Sequence, residues 1–337
     1  MESSMEGAVF VQTNAPHNEV IAFSRTAAGA LTQTARVATG GAGDDVAHLT
    51  SQGSVTLTLD RRHLLVTNAA SNDVSVFSVA GGGVELTKMA PAGAAPKSVA
   101  EFGGLVFVLA TGDAAINGFR LVDGDLVPTG SWALSTPDGA QVGFTADGAE
   151  LIVTERGADM ISAWPVGMDG TLGERRTIIS QGPTPYGFAV SNEGVLVVTE
   201  AFGAQEGAAA ASSYRIDGDS VVPVTASVGN GRSEICWAVI TRDGRTAFTT
   251  NFADGAVSRY AIGMDGSLTL EDATAGITVD GRPGLRDEDL SADDRFLYAI
   301  DADQGQIAGW SVGADRSLTS LGSWGGLPFT VAGLAAR

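Results

Sequence analysis

The sequence predicts an all-β fold, a seven-bladed β-propeller built as one domain over residues 1–337. Two observations predict it. An apolar run climbs to a short polar step and falls back into a second strand-like run, seven times, at a spacing of roughly 48 residues. Turn dipeptides such as Asp147-Gly148, Asp243-Gly244 and Asp293-Asp294 punctuate the units at matching places. A unit of this size buries its faces only against its neighbours, so the copies must stack around a ring.

The paired runs begin at Val9, Leu64, Val106, Leu151, Leu196, Ala247 and Leu297. Their step residues are Asn14, Asn68, Ala110, Glu155, Glu200, Asn251 and Asp301. Each unit reads as four short strands. The Asp-Gly turns join the first strand to the second, and turns such as GMDG at Met168 and Met264 and IDGD at Ile216 join the third to the fourth. Residues 8–38 hold only the outer strands of a first blade. The tail segment LPFTVAG resembles the innermost strands TPYGFAV and APKSVAE, so the C-terminal strand is expected to complete that blade and remove an open edge.

This topology sorts the loops onto two faces. Inter-blade linkers (39–53, 88–96, 178–185, 227–235 and 271–286) and second-to-third-strand steps share the upper face; the other turns share the lower one. A pocket at the upper mouth of the channel would gather side chains from seven distant positions, as small-molecule sites do.

Composition narrows the function. A formal charge of −19, from 20 Lys+Arg against 39 Asp+Glu, repels phosphate backbones, so nucleic acid is not an expected partner. Apolar stretches are strand-sized, and MESSMEGAVF has neither a basic nor an apolar segment of a leader, so no membrane association and a cytoplasmic location are expected. Cys236 stands alone, which excludes an internal disulfide. Three scattered histidines and the absence of a phosphate-cradling glycine loop leave no metal and no cofactor to expect. A small-molecule substrate and a monomer or weak oligomer are the expectation.

The stretches LLVTNAASNDVSVFSV from Leu64 and CWAVITRDGRTAFTTNFADGAVSRYAIGMDGSLTL from Cys236 resemble the YVTN-type repeat of the lactonase-family propellers. That family includes 6-phosphogluconolactonase-like and carboxymuconate-lactonizing-like enzymes, and the resemblance covers all seven units. It implies lactone hydrolysis by carboxylate acid/base chemistry, with a cycloisomerase or lyase reaction, or a non-catalytic binding scaffold, as alternatives. Active members open an innermost strand with a Pro-His or Arg-His pair, and a glutamate follows where the second strand ends. The matching pairs here are Pro185-Tyr186 and Pro328-Phe329, the other openings are Ser54, Lys97, Gln141, Trp237 and Asp287, and the glutamate recurs as Glu155 and Glu200. No histidine stands in this ring.

The catalytic candidates are therefore Glu155, Glu200, Tyr186 and Asp287. Two adjacent carboxylates can split their pKa values into an acid and a base; the other reading is that they cap the strand turn, as Asn68 and Asn251 would. Lys97, Gln141 and Trp237 are candidate substrate contacts, with the aromatic residues read equally as a channel plug. The run Arg286, Asp287, Glu288 reads as a binding arginine beside a base, or as a salt-bridged rim. Arg232 and His48, in upper-face linkers, complete the binding candidates.

Overall fold

The computed structural model describes residues 5–337 except 48, 82, 218–219 and 280. It contains seven four-stranded antiparallel sheets. Blade 1 runs outward from Ala332–Ala336 through Met5–Gln12 and Glu19–Thr26 to Leu31–Ala38, so the C-terminal strand does complete the first blade. Val9 pairs with Ala336 and Val11 with Leu334. The innermost strands of blades 2 to 7 are Val55–Leu57, Pro96–Phe102, Gly139–Phe144, Pro185–Val190, Ile235–Ile240 and Leu285–Leu290. Each packs on the next, and the contact of Leu285–Leu290 with Ala332–Ala336 completes the circle.

The second strand of each blade is sandwiched between neighbouring blades, which is why it reads as a mainly apolar run: all of Leu105–Ala110 and Phe296–Asp301 is buried. Apolar side chains meet in wedges between blades. Phe107, Leu109, Val153 and Trp164 fill the wedge between blades 3 and 4, and Val9, Phe23, Tyr298 and Ile300 fill the one that joins blade 7 to blade 1. On the lower face, third-strand arginines latch onto the next blade: Arg120 donates to the Met168 carbonyl and Arg215 to the Met264 carbonyl, both at 2.7 Å.

Six of the seven step residues end a second strand as expected. Blade 1 differs. Its second strand ends at Gln12, and Asn14 lies two residues further on, in a turn with φ of 51° that its side chain holds by donating to Asp44 at 2.7 Å. The tail also pairs in another register than LPFTVAG suggests. The residue opposite the end of the second strand is Ala332 in blade 1, where Pro185 stands in blade 5. Pro328 and Phe329 thus belong to the preceding linker. The fourth strands reach further than expected, to Pro91, Gly229 and Ile277, which shortens the linkers. Residues 218–219 of the IDGD turn lie outside the described residues.

Candidate functional site

The five innermost strands of blades 3 to 7 all open with a β-bulge at the upper face. Bulges re-aim side chains and are frequent beside active sites. Counting from the residue paired to the strand-ending step, the first bulge position holds Lys97, Ala140, Tyr186, Cys236 and Arg286. The next holds Ser98, Gln141, Gly187, Trp237 and Asp287. Lys97 and Tyr186 therefore stand one residue before the equivalents of Gln141, Trp237 and Asp287, and the ring anticipated from sequence divides into two layers.

The structure does not join Glu155 and Glu200. Both are fully buried, and they share no partner. Glu155 accepts from the Ser135 N–H at 2.7 Å and from Ser162 Oγ, and pairs with Arg175, whose guanidinium lies over Trp164. Glu200 accepts from the Gly182 N–H at 2.8 Å, from the hydroxyls of Ser212 and Ser180 at 2.6 and 3.3 Å, and from Ser227. Asn68 and Asn251 make the equivalent link in the reverse direction, donating through Nδ2 to the Ser75 and Ser258 hydroxyls on the third strand. The step residue is thus a hub that ties the second strand to the outer strands and the incoming linker, and neither glutamate faces the channel cavity.

The lower layer of the ring laces the inner strands together. Gln141 accepts from the Phe188 N–H at 2.6 Å and donates to its carbonyl at 3.1 Å. Gln52 does the same to Ala238, at 3.1 and 2.9 Å. Asp287 accepts from the Gly333 and Gly53 N–H groups at 3.1 and 3.4 Å, and Asp289 from Ala336 at 2.8 Å. The channel edge of each inner strand carries backbone groups that no neighbouring strand satisfies, and these side chains take that place. Burial pushes the Asp287 and Asp289 carboxyls up to about 7.

Where the two layers meet, Tyr186 from the first bulge position and Trp237 from the second form an aromatic floor across the channel. Tyr186 and Trp237 are 4% and 1% exposed and meet edge to face, with ring centroids 5.8 Å apart. The indole N–H donates to the Ser51 carbonyl at 3.3 Å, and burial pushes the Tyr186 hydroxyl well above its ordinary range, so it stays neutral. Below the floor a cavity of about 590 Å³ extends from Gln52, Gln141 and Asp287 to lower-face turns around Leu59, Arg61 and Ala146. It opens at the lower face, and not at the upper mouth where the sequence placed a pocket.

Three cations surround the upper side of the floor. Arg156 stacks over the Tyr186 ring at 5.1 Å and donates to Asp138 at 2.7 Å through Nε. Lys97 donates to Thr50 Oγ1 at 3.4 Å, its ammonium lowered by burial while Asp44 and Asp138 favour its charge. Arg286, 3% exposed, lies near the Phe252 and Phe329 rings, at 5.3 and 5.9 Å, and among the described residues its Nε and Nη1 have no hydrogen-bond partner. Asp44, Asp138 and Asp303 lie among these cations, so the feature suited to an anion is the pair of Arg286 nitrogens without a hydrogen-bond partner among the described residues.

Comparison with solved structures follows this geometry. The chain superposes on a "putative 6-phosphogluconolactonase" from Bacteroides uniformis with a TM-score of 0.78 and 16% identity, covering 98% of this chain and 100% of the other. A periplasmic gluconolactonase from Pseudomonas aeruginosa gives 0.76 and 14%, covering 98% of each chain. The chain has the fold of the lactonase-type seven-bladed propellers. A functionally unknown protein from Desulfotomaculum acetoxidans shares that fold equally, with a TM-score of 0.76 and 12% identity over 98% of each chain. No protein-family model and no curated protein matches the sequence.

Within this propeller, the upper mouth assembles Lys97, Tyr186 and Arg286 from the sequence candidates. The cavity below assembles Gln141, Asp287 and Glu288. Arg232 joins neither: its guanidinium donates to Thr274 on the outermost strand of blade 6. His48 lies outside the described residues. Arg156 and Phe252 were missed, although each directly follows a step residue, which places it at the upper face by the same rule that placed Glu155 and Asn251. Among the described residues no three His, Cys, Asp or Glu side chains converge as a metal site, and no helix is long and apolar enough to cross a membrane.

Proposed function

We propose that the protein hydrolyses a lactone bearing an anionic group, bound at the upper mouth of the channel. The observation that carries this reading is the Arg286 guanidinium, buried beside two phenyl rings with two nitrogens lacking partners among the described residues. Such orphaned donors are costly unless a ligand meets them, and a planar guanidinium suits carboxylate or phosphate. Lys97 and Arg156 share the anion's charge. The neutral Tyr186 hydroxyl donates to the lactone carbonyl oxygen as it becomes an oxyanion. Asp303, exposed and facing Arg286, takes the proton of the attacking water, since the other carboxylates near these cations are engaged: Asp138 by Arg156, Asp44 by Asn14, and Asp287 by the Gly333 and Gly53 N–H groups. Water adds to the carbonyl carbon, the ring C–O bond breaks, and the proton passes to the ring oxygen. The names of the structural neighbours in Bacteroides uniformis and Pseudomonas aeruginosa support a sugar lactone as substrate.

The test is ring opening followed in a pH-stat with 6-phosphoglucono-δ-lactone and uncharged glucono-δ-lactone. The charged lactone turns over faster, Arg286→Met removes that preference, and Asp303→Asn lowers kcat about a hundredfold, the scale of a lost general base. Wild-type rates in both variants would end the proposal. A binding scaffold is the second reading, favoured by the closed aromatic floor and by two glutamates committed to internal networks. Saturable binding of the phosphorylated sugar acid with no turnover of either lactone would establish it.

A further inference from the structure

We infer that residues 49–53, in the linker from blade 1 to blade 2, are a retractable strap that plugs the central channel. Its withdrawal joins the upper mouth to the cavity below, and the device does not depend on lactone chemistry.

The linker is long for this fold. It spans sixteen residues, 39–54, where the next inter-blade linker spans four, 92–95. The excess crosses the channel. Thr50 accepts from Lys97 on blade 3 at 3.4 Å, and the Ser51 hydroxyl donates to the Ala140 carbonyl on blade 4. The Gln52 carbonyl accepts from Ser98 at 2.6 Å, and the Gly53 carbonyl from the Val99 N–H at 2.8 Å. The Gln52 side chain then reaches across the ring to blade 6, where it brackets Ala238. Gly187 on blade 5 leaves room for it, because a Cβ there would run into the Gln52 amide oxygen. The Trp237 indole donates to the Ser51 carbonyl, so strap and aromatic rings close the channel together.

The same residues have a second place to go. In blades 3 to 7 the innermost strand pairs as far as the step residue, as Pro185 does with Glu200 three residues before Phe188–Val198. In blade 2 the pairing stops at Val55–Val66, and the same count puts Gln52 opposite the step Asn68. Gln52 can therefore fill the channel or finish its own strand, but not both. Two discrete arrangements of one segment are the raw material of a switch.

The plugged arrangement is lightly held. Thr50 is β-branched and sits at φ 58°, a conformation costly for such a residue. Leu49, packed on Ala69 and Ala332, is the strap's apolar anchor, and polar bonds hold the rest. Segments with few buried apolar contacts open first. Cys236 packs among Ala140, Tyr186, Ala201 and Trp237, off the strap, so its thiol stays buried when the strap withdraws.

Native-state hydrogen exchange of the full chain, read at single amides, tests the strap. The Gly53 N–H, bonded to Asp287, and the Val99 N–H, bonded to the Gly53 carbonyl, are lost to water on withdrawal. The Phe188 N–H is the control, since Gln141 holds it as Gln52 holds Ala238. In the wild type, Gly53 and Val99 should exchange together, at least tenfold faster than Phe188. Gln52→Ala should speed both a further tenfold and leave Phe188 unchanged, while Gln141→Ala does the reverse. Exchange of Gly53 and Val99 at the Phe188 rate in the wild type would overturn the inference, whatever the variants do. So would rates at these two amides that a folded Gln52→Ala protein leaves unmoved.

Discussion

Replacing Asp287 by Asn should invert the ranking of wild type and variant between acid and alkaline solution. Folded Asp287 keeps its proton to about pH 7, against 3.8 for an ordinary aspartate. The native state therefore binds more protons than the unfolded chain across that window. The stability linked to this group is complete below about pH 4 and is lost as pH rises through about 7. Each unit is worth about 1.4 kcal/mol, so the interval from pH 4 to 7 removes about 4 kcal/mol from the wild type. Asn carries no charge to bury. Its amide oxygen still accepts from Gly333, while the longer contact from Gly53, at 3.4 Å, is lost at about 1 kcal/mol. The variant is then about 1 kcal/mol less stable near pH 3 and about 3 kcal/mol more stable near pH 8.5. Urea unfolding at both pH values, with equal m-values, reads this directly. A constant difference between the two proteins at both pH values would show that Asp287 is ionised throughout and that the lacing of the channel rests on a carboxylate.

Two further outcomes follow from the same packing. Glu200→Ala strands the Gly182 N–H and three serine hydroxyls in the upper part of blade 5, and urea titration should show a loss of about 3–5 kcal/mol, the scale of a broken buried network. Cys236 is buried in the floor and burial pushes its thiol up, so a disulfide reagent should label it only at the rate of unfolding; rapid labelling of the native protein would mean that the floor opens.

The strand pattern was legible because a blade's second strand is buried on both faces and ends at a polar hub. That combination wrote LVVTE and AFTTN into the chain, and six of seven strand ends followed. It failed at Asn14 because a left-handed turn prolongs the polar segment beyond Gln12. It failed at the tail because LPFTVAG matches the alternation of an inner strand as well as AGLAA does, and only pairing with Met5–Gln12 decides between them. The site was less legible. A bulge shifts a side chain by one position without a residue type of its own, so Lys97 and Gln141 looked equivalent and are not. Glu155 and Glu200 have the composition of an acid/base pair, and only the serines and the arginine that surround them distinguish a hub from a catalyst. The opening of the cavity on the lower face depends on the aromatic floor, an arrangement of Tyr186 and Trp237 that no local pattern encodes.

The closure of blade 1 by Ala332–Ala336 has a consequence in time. As the chain emerges during synthesis, residues 5–38 can form three strands whose inner edge must wait for more than 290 further residues before its partner exists. Closing so long a loop costs little more entropy than closing a short one, because the cost grows only with the logarithm of length. The wait itself is the hazard, since an unpaired edge is a template for another chain. Blades 2 to 7 can assemble in order as each is made, while the first remains the last to finish, and nascent chains held close together on one message would be exposed to pairing with each other until then.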